Sequence, residues 1–176
     1  MQGKRYDAFG SLEACAKTQE VINAFRARKM PVIHVQHIST QPNASYLLPC
    51  TKGADFYQMV QPLKGEMIVK KHYPNSFKDT QLLNHLIKSQ INHLLICGMI
   101  SHLAIDATVR AAHDLGFSVT VLEDACAAQE LSFNQHIISP QDAHHAFMAA
   151  LQSSYAAVLS TDAYLEKTGM RERSFA

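Results

Sequence analysis

One run in the middle of the chain joins an apolar strand to residues suited to holding an anion. It reads Leu94-Leu95-Ile96-Cys97-Gly98-Met99-Ile100-Ser101-His102-Leu103-Ala104-Ile105-Asp106-Ala107-Thr108-Val109-Arg110-Ala111-Ala112. The residues up to Cys97 form a short strand pattern. Gly98 breaks it, and an amphipathic helix follows with Leu103, Ala107 and Ala111 on one apolar face. A strand that turns tightly into a helix aims backbone N–H groups and the positive helix end at one point. Such a point can hold an anion or the oxyanion of an acyl-transfer reaction. A thiol in the first helical turn there would have a lowered pKa. The residue facing that point is Ala104, which has no reactive atom.

Three further stretches carry chemically useful residues: Pro31-Val32-Ile33-His34-Val35-Gln36-His37, Lys71-His72-Tyr73-Pro74-Asn75-Ser76-Phe77 and Glu123-Asp124-Ala125-Cys126-Ala127. With the central run, they make the chain resemble the isochorismatase-like cysteine hydrolases over most of its length. The family pattern at the central run is Gly-Met-x-Thr-His-Met-Cys-Val-Asp-x-Thr-Val-Arg-Ala-Ala. Gly98, Met99, His102, Asp106, Thr108, Val109, Arg110, Ala111 and Ala112 match it, Ser101 replaces its threonine, and Ala104 stands at its nucleophilic cysteine.

The resemblance implies a site built on three groups. An aspartate takes the thiol proton, the thiolate attacks a carbonyl or imine carbon, and a lysine holds the ionised pair. Lys71 falls on the family lysine; read without the resemblance, Lys70 and Lys71 would be a solvated pair. The family's cis peptide before the oxyanion hole falls between Met99 and Ile100, and the backbone N–H groups of Ile100 and Ala104 would form the hole. Ser101, His102, Phe77 and Tyr46 are expected to line the substrate pocket. The activity implied is hydrolysis of a small amide, or of a related C–N or vinyl-ether bond, impaired here by Ala104 and by the absence of the family aspartate. A non-catalytic ligand-binding or partner protein of the same fold stays open, as does a hydrolase with another nucleophile. Cys97 is expected to be buried in its strand, the Ser101 hydroxyl to be structural, and Asp106 and Arg110 to pair across one helical turn.

His34 and His37 raise the question of a metal. Three residues apart on a strand, they face opposite sides and cannot share one ion. The related metal-binding amidases carry an Asp-x-His pattern here, and this strand lacks the acid, so neither a metal nor another cofactor is expected. No GxGxxG run opens a helix, which argues against dinucleotide binding.

These residues need elements to position them. The sequence reads as a helix over Ser11 to Arg28 capped by Ser11, and a strand over Pro31 to Ile38. An irregular stretch over Ser39 to Gly65 follows, whose Tyr46, Phe56 and Tyr57 would line a pocket or subunit contact, or simply pin a surface loop. A strand over Glu66 to Lys70 comes next, then a helix over Thr80 to Gln90 capped by Asp79. The central strand covers His93 to Cys97, and its helix runs to Leu115 and ends at Gly116. A strand over Ser118 to Leu122 precedes a loop over Asp124 to Ser139. A helix opened by Pro140 and capped by Ser139 leads to a last strand over Ala156 to Ser160, and Thr161 caps a final helix. The stretch from Met170 reads as frayed. Strand–helix alternation with short apolar strands means an α/β, doubly wound, mostly parallel sheet covered by helices on both faces, with the ligand at the carboxyl ends of the strands.

At 176 residues the chain suits a single domain, and its 47% hydrophobic content fits a globular core. A net charge of +1 gives no reason to expect nucleic acid, and no apolar run reaches the roughly 20 residues of a membrane span. Cys15, Cys50, Cys97 and Cys126 form no zinc spacing, which fits a reduced, cytoplasmic setting. A small molecule is the expected partner, in a homo-oligomer.

The family opens with an apolar central strand bearing its aspartate, followed by a Gly-Gly-Lys-like turn. Here Gly3-Lys4 matches the turn and no strand precedes it; Asp7 lies in a polar turn and is no replacement. Two expectations follow. The natural chain carries about 20 further residues upstream, or the sheet repairs itself by strand shift or oligomerisation.

Overall fold

The computed structural model describes residues 10–171. Gly3, Lys4 and Asp7 lie outside the described residues, as do residues 172–176 of the stretch expected to fray from Met170; Met170 itself donates its N–H to the Leu165 carbonyl at 2.7 Å. The elements in chain order are α1 (Ser11–Ala27), β1 (Ile33–His37), β2 (Met67–Lys71), α2 (Leu82–Lys88), β3 (His93–Met99), α3 (Asp106–Asp114), β4 (Ser118–Ala127), β5 (Leu131–Phe133), β6 (His136–Ile138), α4 (Pro140–Ser154), β7 (Ala157–Leu159) and α5 (Thr161–Lys167).

β1 pairs with β2, and β3, β4 and β7 pair in that order, all parallel. Among the described strands, β1 is bonded to β2 alone and β3 to β4 alone, so the parallel sheet is in two pieces. One core spans both. Leu86, Val109, Ala112, Met148 and Leu151 from α2, α3 and α4 pack on Val69, Val119 and Val121. Val21 of α1 and Tyr164 and Leu165 of α5 pack on Leu122 and Ala125. Consecutive strand residues point to opposite faces, so Val121 and Leu122 serve different helix layers, and the sheet is covered on both sides.

Several local expectations are corrected. Ser11 is inside α1, whose cap is Gly10 at φ 74°. Asp79 caps nothing, because it sits at φ 55°; α2 starts at Leu82, and its N–H is met at 3.3 Å by the Thr80 hydroxyl. The cap of α5 is Ser160, which accepts from the Ala163 N–H. Thr161 instead bonds the Asp124 carboxylate through its N–H at 2.8 Å and its hydroxyl at 2.7 Å. β4 continues to Ala127, and the expected loop after it holds the β5–β6 hairpin. Ser139 does cap α4, accepting from the Asp142 N–H.

The largest difference lies at the head of α3. Residues Ser101–Ile105 form a wide π turn, in which the Ile105 N–H donates to the Ile100 carbonyl five residues back at 3.2 Å. The wide turn shifts the helical register. Ile105, Thr108, Val109 and Ala112 therefore face the core, Ala107 and Ala111 are half-buried, and Leu103 is 44% exposed.

Candidate functional site

Three strand ends meet at the candidate site. β2 ends at Lys71, β3 at Met99 and β4 at Ala127, and Met99 is paired with Ala127. Gly98 makes the exit from β3. Its φ of 131° is open to glycine and closed to other L residues, and the β3–β4 register shifts between Ile96 and Gly98. The Met99–Ile100 peptide bond is cis, and the π turn starts at Ser101.

Lys71 is buried, at 5% exposure. It alternates with Val69 on the face of β2 that looks toward α3. Its ammonium donates to the Pro74 carbonyl at 2.5 Å and to the Ser76 hydroxyl at 3.0 Å. Ser76 is tied in turn to α3, with its Oγ 2.9 Å from Thr108 Oγ1 and its N–H donating to the same oxygen at 3.1 Å. Thr108 stands four residues after Ala104, so this chain of bonds brings Lys71 and Ala104 to one region. Burial pushes the Lys71 pKa down to about 8. The end of β1 adds His37, in register with Lys71. Its pKa is lowered by burial first and then by Lys71 and His72.

The other expected residues divide. Ile100 and Ser101 are buried, and Met99, His102 and Ala104 are half-buried. Ser101 Oγ donates to the Ala127 carbonyl at 3.1 Å and lies 2.9 Å from His144 Nδ1, so its hydroxyl is fully used inside the fold. The His102 ring lies 6.0 Å from Phe147, its buried Nδ1 has no hydrogen-bond partner among the described residues, and burial lowers its pKa. Phe77 is partly buried against the core, its ring stacked on Phe117 at 6.1 Å. Tyr46 is 42% exposed on the long loop, which the Ser39 N–H ties to the Leu47 carbonyl at 2.8 Å. Phe56 of that loop packs edge-on against His34 at 5.6 Å.

The four cysteines differ in burial. Cys97 is half-buried in β3 and Cys126 buried in β4, and burial raises both pKa values. A raised pKa keeps a thiol protonated and inert. Cys15 is buried, and Cys50 is exposed on the long loop. His34 and His37 do face apart: His34 Nε2 is 2.7 Å from Glu66 Oε2, at the other end of the strand pair from Lys71. Among the described residues no cluster of His, Cys, Asp or Glu could hold a metal ion. Asp106 and Arg110 form the expected helix-surface pair at 2.9 Å.

Ser76, Thr108 and His144 are site neighbours that sequence reading passed over. Ser76 and Thr108 lie inside the stretches singled out for other residues, but nothing in their spacing says that their hydroxyls meet. A groove of about 480 Å³ lined by His113, Phe117 and Tyr155 lies at the amino ends of β4 and β7, the opposite end of the sheet.

Known proteins resemble this chain in sequence and fold. A family model described as the isochorismatase domain matches residues 3–163. The chain is 40% identical, over 88% of its length and 86% of the relative's, to the uncharacterized isochorismatase family protein YddQ of Bacillus subtilis (strain 168). The crystal structure of an isochorismatase hydrolase from Oleispira antarctica is 37% identical with a TM-score of 0.88, covering 93% of this chain and 87% of that one. N-carbamoylsarcosine amidase from Thermoplasma acidophilum, at 21% identity and a TM-score of 0.75 over 90% of this chain and 88% of its own, shares the fold.

Proposed function

The chain belongs to the isochorismatase family, and from that premise we propose that it holds a small carbonyl- or carboxylate-bearing ligand in the family cradle without cysteine chemistry. The ligand would be of the amide, C–N or vinyl-ether class. Its oxygen would sit against the backbone N–H groups of Ile100 and Ala104, with Lys71 supplying positive charge from the adjoining strand end. His102 and Tyr46 would border the ligand, with Phe77 supporting from the core side.

One observation carries this reading. Residue 104, inside the π turn, is an alanine, while the Lys71 ammonium is buried and tied through Ser76 to Thr108 of α3, four residues further on. A cation in low dielectric attracts an anionic or polarised group strongly. A methyl group attacks nothing, and loss of a nucleophile costs on the order of 10⁶ in rate where it has been measured. The Ser101 hydroxyl and the Cys97 and Cys126 thiols are engaged or held protonated, which supports the absence of a substitute.

The test is a panel of small amides, esters and carboxylates against the full chain and its Ala104→Cys variant. Binding by both, with hydrolysis only by the variant, is the expected result. Hydrolysis by the unaltered chain at the variant's rate would overturn the proposal, and binding by neither would remove the cradle.

A further inference from the structure

Helix α4 is fastened to the π turn by one side chain that the proposed function does not use. His144 Nδ1 lies 2.9 Å from Ser101 Oγ, and the other ring nitrogen, Nε2, lies 3.9 Å from Glu123 Oε2. Ser101 is wholly buried, and its Oγ also reaches the Ala127 carbonyl at 3.1 Å. A line of polar groups thus runs from the half-exposed Glu123 carboxylate to the residue that follows Ile100.

A hydroxyl has one hydrogen to give, and a neutral imidazole carries one N–H. If Ser101 donates to Ala127, His144 must donate from Nδ1 to Ser101. Nε2 is then bare, and it faces a carboxylate. That contact is attractive only when a proton sits on Nε2 or on Glu123. If the pair loses that proton, the favourable arrangement is the other tautomer. Nε2–H then faces the ionised Glu123, bare Nδ1 accepts the Ser101 hydrogen, and the Ala127 carbonyl loses its donor. The two arrangements differ by one proton.

We propose that Glu123, His144 and Ser101 form a proton-coupled strut, in which loss of one proton turns the Ser101 hydroxyl from Ala127 to His144 and reseats the Ile100–Ala104 turn. His144 is a positioning residue that acts through Ser101. The importance of this turn to the protein rests on the cradle reading above; the strut itself needs no ligand.

Burial favours the neutral form of both partners. It raises the Glu123 pKa from 4.5, helped by Asp124 and opposed by His145, and it lowers the His144 pKa from 6.5, helped by His145. The two values move toward each other, and the pair titrates as one coupled unit. The Asp124 carboxylate accepts from Thr161, and the His145 ring is 5.9 Å from His144 on α4. His102 in the turn lies beside Phe147 of α4. On α3, Asp106 pairs with Arg110, and Arg110 and His113 meet Tyr155 at the far end of α4.

The experiment is long-range proton–nitrogen NMR on the full chain labelled with ¹⁵N, read from pH 4.5 to 8. In the unaltered protein, Nδ1 of His144 should pass from the protonated to the unprotonated range as pH rises, and the amides of residues 100–104 should shift with the same midpoint. In Glu123→Gln, the charge that favours Nε2–H is gone and the amide can donate to Nε2 or accept from it, so the turn amides should no longer shift with the midpoint of the unaltered protein. In Ser101→Ala, His144 should still titrate while the turn amides no longer follow it. One unchanging tautomer in the unaltered protein would overturn the strut, as would turn amides indifferent to the His144 midpoint. These spectra are read without a ligand, so failure of the cradle to bind anything would leave them standing.

Discussion

The Lys71 ammonium and the Ser76 hydroxyl lie 3.0 Å apart at the end of β2, and Ser76 in turn reaches Thr108 of α3. Through this pair a buried cation is tied to the helix that starts at the candidate site. Both hydrogen-bond acceptors of Lys71, the Pro74 carbonyl and the Ser76 hydroxyl, are neutral.

The burial of Lys71 makes its charge costly. Its folded pKa of about 8 lies below the ordinary 10.5, so the unfolded chain binds more protons between these values. Stability contributed by this group therefore rises with pH through that window, by about 3 kcal/mol in all. Urea unfolding of the unaltered protein and of Lys71→Met should show the gap between them moving in favour of lysine from pH 7 to pH 10.5. A gap that does not change with pH would show that the ammonium is solvated.

A thiol placed at residue 104 should be acidic. It would stand at the positive end of the π turn and α3, in the region of the Lys71 ammonium, and both effects favour thiolate. In Ala104→Cys, the pH midpoint of iodoacetamide alkylation should fall at least about one unit below the ordinary 8.5. Adding Lys71→Met should bring it back up. An ordinary midpoint in the single variant would separate Lys71 from residue 104.

Glu66 holds the other end of the strand pair. Its carboxylate accepts from Arg26 Nε at 2.7 Å and Nη2 at 2.8 Å, from the Leu63 N–H at 2.8 Å, and stands 2.7 Å from His34 Nε2. The Arg26 hydrogen bonds are the chief cause of a pKa lowered to about 2. The folded value is below the unfolded 4.5, so this stabilisation is complete above pH 4.5 and is lost as pH falls toward 2. Glu66→Gln should cost about 3 kcal/mol at pH 7 and almost nothing at pH 2. Equal losses at both pH values in urea melts would count against the ion pair.

Gly98 is needed for its backbone angle and not for space. A Cβ built there would meet only Ile105 Cδ1, at an ordinary 3.8 Å, but φ is 131°. Gly98→Ala should therefore destabilise by about 1–3 kcal/mol by thermal melting. A neutral result would mean that the strand exit tolerates another conformation.

The alternation of short apolar strands with amphipathic helices made the doubly wound architecture legible before any coordinate. Pro140 after Ser139, and Gly116 after Leu115, marked a helix start and a helix end because their conformational preferences are local. The same local reading put the caps at Ser11, Asp79 and Thr161. It erred there because Gly10 and Asp79 adopt positive φ and because Thr161 is drawn to Asp124, 37 residues away in sequence.

The sequence by itself determined the residue types at hand: a lysine closes the apolar run before His72, and an alanine stands at residue 104. Side-chain identity and period-two or period-3.6 patterning are properties of a short stretch, so they can be read from it. Only the tertiary structure decided the five-residue turn that moves Leu103 outward and Ile105 inward. It alone joined Lys71 to Thr108 through Ser76, and Ser101 to Glu123 through His144. Ser76 and Thr108 are 32 residues apart in sequence, and Ser101 and His144 are 43 apart. Such links depend on how whole strands and helices pack, and no local pattern encodes that.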